Sequence, residues 1–514
     1  MTVSAQPSLR PEHPVARALV QLVTEFDLDH IGELDSVEVS GLSVNSKDVG
    51  AGDLYAGVPG THAHGARFAT EAAAAGAVAI LTDQAGAQLA ADSGLPVILT
   101  HDVRSAIGPI AAWIYRTDEN PATLYAVTGT NGKTSVVYLL NAILTQLGII
   151  AGLSSTAERR IGSRAVVSQL TTPEASELHA LLARMREEEV RAVAVEVSAQ
   201  ALSRHRVDGL IFDVAGFTNL SHDHLDDYGD LDTYFKAKLE LFQPDHAKRG
   251  VAMADSDWGR RMVEESHIPI TTVSTSVGSD ADWTVTVLQE RIGYTEFRLE
   301  GPDGRGLQTK VPVLGWYMAA NAALAIVMLV ESGFDLDAIA QALHRDGGID
   351  VYIPGRAERV SGERGPIVLI DYGHSPDAFL NTLGAIRKVT DGRIVMVFGA
   401  DGDRDTTKRA DMGAIAARGS DAVVITDFHP RFEDPAAIRA ALLEGARRAV
   451  PELELYEVPD PRAGFRKALS LAGEGDVVLY AGPGHEDYQE VAGVHLPYSA
   501  RDDARVALRE AGWL

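Results

Sequence analysis

A chain of 514 residues, 46% apolar and 23% charged, has the composition of an ordinary soluble globular protein and is long enough for roughly three domains, each with its own core. A formal net charge of −26 excludes nucleic acid or an anionic membrane as a general partner, since both demand basic surface. With no cysteine, disulfides, thiolate zinc sites and cysteine nucleophiles are excluded.

The polar stretch Met1–Pro14 has no apolar signal core, and the longest apolar run, Ala322–Val330, is too short to span a bilayer, so a cytoplasmic location is expected. Val15, Ala16, Leu19, Val20, Leu22, Val23 and Phe26 recur at helical spacing and predict a first helix. "GDLYAGVPG" reads as a strand ending in a Pro-Gly turn, "FATEAAAAG" as an alanine-rich helix and "AVAILTD" as a buried strand. This alternation predicts a small α/β domain over 1–115. The polar, proline-bearing "YRTDENPAT" then reads as a linker.

A central domain, 116–350, opens with "LYAVTGTNGKTSVVYLL", an apolar run, a glycine turn and a second apolar run. That order fits strand, tight turn and helix, with glycines that let backbone N–H groups approach an anion closely. Lys133 adds a point charge for phosphate, and Thr134 a hydroxyl for Mg²⁺. The strict phosphate-loop pattern needs glycine at position 127, where Val127 stands; what remains is Gly129-Thr130-Asn131-Gly132-Lys133-Thr134-Ser135. A nucleoside triphosphate is the expected ligand, the bland alternative being a plain turn with a solvated lysine. The helix "ELHALLARMREEE" and the strands "AVAVEVSA" and "FDVAGFTNL" follow.

A third domain, 351–514, begins near "IPGRAERV" and carries "IVLIDYG", "RIVMVFGA", "DAVVITDF" and "DVVLYAGPG" as parallel-type buried strands. The chain as a whole is α/β. Its polar residues cluster just after strand carboxyl ends, where open α/β sheets bind ligands. Glu196 ends an otherwise apolar strand, and "TNLSHDHLDDYGD" crowds Asp223, His224 and Asp226 after another. Such oxygen donors suit a hard cation beside a phosphate loop, although Asp and Asn also favour plain turns. In "YFKAKLELF" the amphipathic pattern buries Phe235 and Leu239 and leaves Lys238 as a surface lysine. "PGRAERV", "DYGHSPD", "FGADGDRD" and "AGPGHEDYQ" read together as a ligand-binding rim on one sheet edge.

These motifs, in this order and over nearly the whole chain, resemble the Mur ligase family, most of all its UDP-N-acetylmuramoyl-tripeptide synthetase (MurE) branch. The resemblance is carried by "NSKDVGAGDLYAGVPG", "TGTNGKTS", "TTPEASELHALL", "EVSAQALSRHRVDG", "TNLSHDHLD", "YFKAKLELF", "PGRAERV", "DYGHSPDAF", "FGADGDRDTTKRADMG" and "GPGHEDYQ". It implies a UDP-sugar-binding first domain, a central P-loop ATPase domain and a Rossmann-like third domain that binds the incoming amino acid. The implied reaction is ATP-dependent addition of an amino acid to UDP-N-acetylmuramoyl-L-alanyl-D-glutamate through an acyl phosphate, with Mg²⁺ as cofactor, in a monomeric enzyme of peptidoglycan synthesis. Alternatives are a related ligase acting on another carboxylate and a catalytically dead nucleotide-binding homologue.

By the same resemblance, Gly129, Thr130, Asn131, Gly132, Lys133, Thr134, Ser135, Asn321, Arg356, Asp371 and His374 match the ATP site. Thr134, Glu196, His224 and Lys238 match the metal ligands, Lys238 as a carbamylated lysine; Lys133, Lys238, His224 and Arg356 carry the catalytic roles. Asn45, Ser46, Lys47, Thr61 and His62 match uridine contacts, and Thr171, Thr172, Ser198 and Arg206 line the acceptor peptide. Arg404, Phe428, His429, Arg431, Gly482 and Glu486 surround the incoming amino acid.

The chain departs from the family pattern at Met253, Met318, Ala199, Gln200 and Pro483, none of them a catalytic group. Where family members that add meso-diaminopimelate carry Asp-Asn-Pro-Arg, this chain has Phe428-His429-Pro430-Arg431. Arg431 can still pair bidentately with a carboxylate at the far end of a side chain. That favours meso-diaminopimelate or another acidic-ended amino acid over lysine or ornithine, a smaller residue staying open. Phe428 either makes the pocket more apolar or turns inward as core.

Overall fold

The computed structural model of the protein describes residues 9–514 except Thr61, Gln169 and His224. Three sheets organise the chain. In the first, Gly41–Ser43, Asp53–Ala56, Ala79–Thr82 and Val97–Leu99 run parallel, and Asp29–Ile31 pairs antiparallel at the edge. Helices cover both faces: Leu19–Glu25 and Val103–Tyr115 on one, Ala69–Ala75 and Gln84–Ala90 on the other.

The eleven-stranded central sheet has a parallel middle in which Thr123–Thr128 lies between Ala192–Glu196 and Val214–Phe217. Every residue of Ala192–Glu196 and of Val214–Phe217 is buried, as strands covered by helices on both faces require. The helices Lys133–Gln146 and Trp316–Glu331 pack on one face, and Ala175–Glu187 and Leu231–Leu239 on the other. The edges are antiparallel: the hairpin Glu158–Ile161/Arg164–Val167, and the meander Trp283–Arg291, Tyr294–Glu300, Gly306–Val311.

The third sheet runs Ile367–Asp371, Val477–Ala481, Ile394–Phe398, Ala422–Ile425, Glu454–Glu457 in parallel, with Glu358–Arg359 antiparallel at one edge. Its two faces hold separate apolar cores, so it is doubly wound, as the sequence predicts. No helix among the described residues is long and apolar enough to cross a membrane. The run Ala322–Val330 instead lies in a helix buried almost all round within the central domain.

Two expectations are corrected. The first helix spans only Leu19–Glu25, because Arg17–Ala18 pairs as a strand with Glu38–Val39; Leu19, Leu22 and Val23 turn inward while Val15 and Val20 are exposed. Lys238 is not a surface lysine. It follows Tyr234 by four residues and Phe235 by three, which puts it on their buried stripe, and it is 1% exposed.

Candidate active site

The phosphate loop joins Thr123–Thr128 to the helix Lys133–Gln146. Gly129 (φ 144°) and Gly132 (φ 93°) adopt backbone that favours glycine. A Cβ at Gly129 would lie 1.9 Å from Thr218 Oγ1, and one at Gly132 2.7 Å from Asn321 Oδ1. The loop is therefore clamped between the next strand's end and a buried helix. Thr218 Oγ1 donates to the Asn131 carbonyl (2.6 Å), and the Asn131 N–H donates to Asn219 Oδ1 (3.0 Å). Lys133 Nζ donates to the Gly129 (3.0 Å) and Thr130 (2.8 Å) carbonyls, and burial pulls its pKa below the usual lysine value. Thr134 and Ser135, in the first helical turn, are buried.

Glu196 ends the neighbouring strand and is fully buried. Its Oε2 accepts from the Thr156 N–H (3.0 Å) and hydroxyl (2.6 Å), while Oε1 has no hydrogen-bond partner among the described residues. A buried carboxylate oxygen left so is costly unless a cation or donor completes it. Lys238 Nζ donates to the Gly129 carbonyl (2.9 Å) and sits 4.2 Å from the Tyr234 ring centroid. Burial and the nearby Lys133 charge push its pKa well down, against the pull of Asp223. Asp223 is buried and accepts from Lys408 Nζ of the third domain (2.8 Å). Asp226 points outward, because it falls on the exposed side of the short helix Leu225–Tyr228. His224 lies outside the described residues.

Above the loop, a cavity of about 390 Å³ is shared by the central and third domains; Gly132, Asn321, Arg356, Asp371 and His374 line it, with Met253 and Met318. The loop carrying Arg356 is held by its neighbours: a Cβ at Gly355 would lie 2.2 Å from the Gly484 carbonyl carbon, and the Ala357 N–H donates to Asp371 Oδ2 (2.7 Å). Arg356 spans the two domains, lying over the Tyr372 ring (4.5 Å) and donating from Nη2 to Thr134 Oγ1 (2.7 Å). His374 Nδ1 donates to the Tyr372 carbonyl (2.7 Å), so Nε2 is its free face, 4.0 Å from Asp223 Oδ2. Asn321 and Met318 share one helix, the amide 3.8 Å from the thioether sulfur.

Beside Glu196, Thr172 Oγ1 donates to the Glu196 carbonyl (2.8 Å) and accepts the Ser198 N–H (3.1 Å). Thr171 bonds Thr156 (3.0 Å), and the buried Arg206 pairs with Glu174 (2.9 Å). The structure thus brings Thr171, Thr172, Ser198 and Arg206 together, with Glu174 and Thr156 as supports that the sequence reading passed over. Glu174 lies two residues past Thr172 in "TTPEASELHALL", and that proximity is the sequence signal for it. In the first domain Asn45 caps the turn Ser46–Asp48, Ser46 Oγ donates to Glu71 (3.1 Å), and Lys47 and His62 are exposed. Thr61 lies outside the described residues.

The last group gathers at the carboxyl ends of the third sheet. Phe428 turns inward, 8% exposed and against Gly482, with its ring 3.9 Å from that of His429. His429 is buried and bonds Glu486 (2.8 Å). Arg404 is exposed, with no hydrogen bond among the described residues. Arg431 is tied to Asp401 (3.2 Å) and Glu490 (2.8 Å).

A phosphate loop, a buried acid and lysine beside it, and a third domain closing over them define a nucleotide-dependent group-transfer site. Comparison with known proteins agrees. The Mur ligase family, catalytic domain, matches residues 38–123; the Mur ligase middle domain matches 127–329; the Mur ligase, glutamate ligase domain, matches 355–484. The chain is 73% identical to the UDP-N-acetylmuramyl-tripeptide synthetase of Leifsonia xyli subsp. xyli over all of both chains. It is 43% identical to a UDP-N-acetylmuramoyl-L-alanyl-D-glutamate–2,6-diaminopimelate ligase of Streptomyces avermitilis, over 98% of this chain and 97% of that one. A solved structure of a ligase of that same description superposes with a TM-score of 0.66 at 25% identity, over 97% of this chain and 100% of that chain. The chain belongs to the Mur ligase family and is an ATP-dependent ligase.

Proposed function

We propose that this protein joins an amino acid to the D-glutamate end of UDP-N-acetylmuramoyl-L-alanyl-D-glutamate, releasing ADP and phosphate, as a cytoplasmic, monomeric enzyme of peptidoglycan precursor synthesis. In this reading residues 1–115 hold the UDP-sugar through Asn45, Ser46, Lys47, Thr61 and His62, 116–350 bind ATP, and 351–514 bind the incoming amino acid. The observation that carries it is the convergence of Lys133, Thr134, Glu196, Lys238 and Arg356 on one end of the phosphate-loop strand, between two domains.

Among the described residues no three His, Asp or Glu side chains converge as a metal site. The donor chemistry nonetheless fits Mg²⁺: Glu196 Oε1 is buried and unpartnered, the Thr134 hydroxyl is adjacent to the loop, and Lys238 becomes an oxygen donor once carbamylated. Thr134, Glu196, His224 and carbamylated Lys238 would hold the ion, which when bound screens the carboxylate from the triphosphate. Lys238 supports this by being buried with a depressed pKa: its neutral amine attacks CO₂, an N–C bond forms, and a proton leaves.

The chain's own groups then have separable tasks. Arg206, with Thr171, Thr172 and Ser198, positions the acceptor carboxylate, and Lys133 and Arg356 stabilise charge on the transferring phosphoryl group. Attack of the carboxylate on the γ-phosphorus breaks the bond to ADP and gives an acyl phosphate. The incoming amine attacks its carbonyl, and phosphate leaves. Closure of the third domain over the loop excludes the water that would hydrolyse the intermediate.

The test is ADP release measured with each component left out in turn. Turnover is expected only when ATP, Mg²⁺, the UDP-linked dipeptide and an amino acid are all present. Failure of the UDP-linked dipeptide to bind would overturn the reading.

A further inference from the structure

The third-domain pocket carries an imbalance of charge. Arg431 is fixed first by its backbone: φ is 49°, its N–H donates to the Glu490 carbonyl (3.1 Å), and its own carbonyl accepts the Ala492 N–H (2.7 Å). Its guanidinium is then divided three ways within the protein. Nε donates to Glu490 Oε2 (2.8 Å), Nη1 to the Gly402 carbonyl (2.9 Å), and Nη2 lies 3.2 Å from Asp401 Oδ1. The nearby Arg409 is committed to Glu433 (2.6 and 2.7 Å).

His429 does not make up the deficit. Its Nδ1 accepts the Glu490 N–H (2.8 Å), so the ring's single proton sits on Nε2 and is donated to Glu486 Oε2 (2.8 Å). A ring with that proton arrangement is neutral. Asp401 and Glu490 hold the one guanidinium, and Glu486, which lies with them around Tyr488 and has only a neutral imidazole as partner there, makes a third carboxylate against that single positive charge.

We infer that the pocket selects an amino acid whose side chain ends in an ammonium group with no second carboxylate beside it, unlike meso-diaminopimelate, whose far end carries both, and that Glu490 sets this choice by occupying Arg431. The inference rests on the ligase reading above. A second carboxylate at Arg431 has to share a guanidinium already held by Glu490 and Asp401 and meets the repulsion of both acids, or else displaces one of them and leaves a partly buried acid without its partner. An ammonium group meets the surplus carboxylates directly and displaces nothing. The exposed Arg404 remains available for the α-carboxylate that every amino acid carries.

The experiment is ADP release with the UDP-linked dipeptide across L-2,4-diaminobutyrate, L-ornithine, L-lysine, meso-diaminopimelate, L-glutamate and L-alanine. At least one diamino monocarboxylic acid should exceed meso-diaminopimelate in kcat/KM by about ten-fold or more. Glu490→Gln, which removes the charge but keeps the shape, should free Arg431 and move that ratio about ten-fold toward meso-diaminopimelate, with the KM for ATP unchanged. A wild-type preference for meso-diaminopimelate, L-glutamate or L-alanine overturns the inference and leaves the ligase reading standing. No ADP release with any amino acid overturns both. An unchanged preference in Glu490→Gln overturns the role given to Glu490.

Discussion

Lys133 donates to the Gly129 and Thr130 carbonyls from the first turn of its helix, so its charge is held at the mouth of the loop. In the proposed reaction a partly buried cation there would act on charge that develops during phosphoryl transfer, which is worth more than the same contact in water. Lys133→Ala should therefore lower kcat by about 10²–10³-fold or more in the ADP-release assay. A variant within a few-fold of wild type would remove Lys133 from the chemistry. Lys238 makes a different prediction: Lys238→Ala removes the proposed site of carbamylation, and acetate or another short carboxylate should restore part of the rate by supplying oxygen at the same place. The Lys238 case also marks what the sequence does not carry. Tyr234, Phe235 and Lys238 form one stripe by spacing, but a lysine on an apolar stripe reads as surface until the Gly129 carbonyl is seen to receive it. The phosphate loop was readable because its glycines are demanded by local backbone geometry. The Glu196 environment was not, because Thr156, 40 residues away, supplies its two hydrogen bonds.

At the scale of elements, the strands of the third domain were readable because both of their faces are buried, which writes itself as unbroken apolar runs such as Ile394–Phe398. The meander Trp283–Val311 is hard to read from sequence although Trp283, Val285, Phe297, Leu299, Leu307 and Val311 alternate inward, since half of each strand is polar. The helix Ala175–Glu187 shows the same burial on two sides: Leu178, Leu181, Leu182 and Met185 face the central sheet, and Ala175, Ala180 and Ala183 join the core of the first domain. His179 sits fully buried in it, bonded to Thr117 (2.7 Å) and to the Asp208 carbonyl (3.0 Å), and burial pushes its pKa down to about 4. Unfolded, the same ring titrates near 6.5, so below that pH the unfolded chain binds the extra proton and the fold is disfavoured. The stability that neutral His179 contributes is present above about pH 6.5 and is lost as pH falls toward 4, by roughly 3 kcal/mol at most. Urea midpoints measured from pH 7 to pH 4.5 should fall more steeply for wild type than for His179→Gln. Parallel slopes would show that His179 is not the group responsible.

Across the whole molecule, the central and third domains meet through apolar packing of Leu314 and Tyr317 against the third-domain core and, around the phosphate loop, through a short set of polar contacts. Arg356 reaches Thr134, Asn131 reaches Asp377 (3.2 Å), His222 lies 3.1 Å from Asp405, and Lys408 pairs with Asp223. The Lys408–Asp223 pair is the one with both partners buried. Such a pair gains little over apolar packing, but removing Lys408 leaves the buried Asp223 charge less compensated, with Lys133, Lys238 and His374 as its remaining charged or titratable neighbours, at up to about 3–5 kcal/mol. Docking of the third domain then competes with rehydration of Asp223, and the closed arrangement that unites Arg356 with the loop becomes less populated. Lys408→Met should therefore lower kcat/KM for ATP turnover by about ten- to a hundred-fold without touching Lys133 or Lys238. Adding Asp223→Asn removes the under-compensated charge, so the double variant should recover part of that loss rather than add to it. Steady-state turnover of the wild type, Lys408→Met, Asp223→Asn and the double variant closes the cycle. Additive losses would mean that the two side chains act separately, Asp223 on the lysines beside it and Lys408 on its own loop, and that closure depends on Arg356 and Asn131 instead.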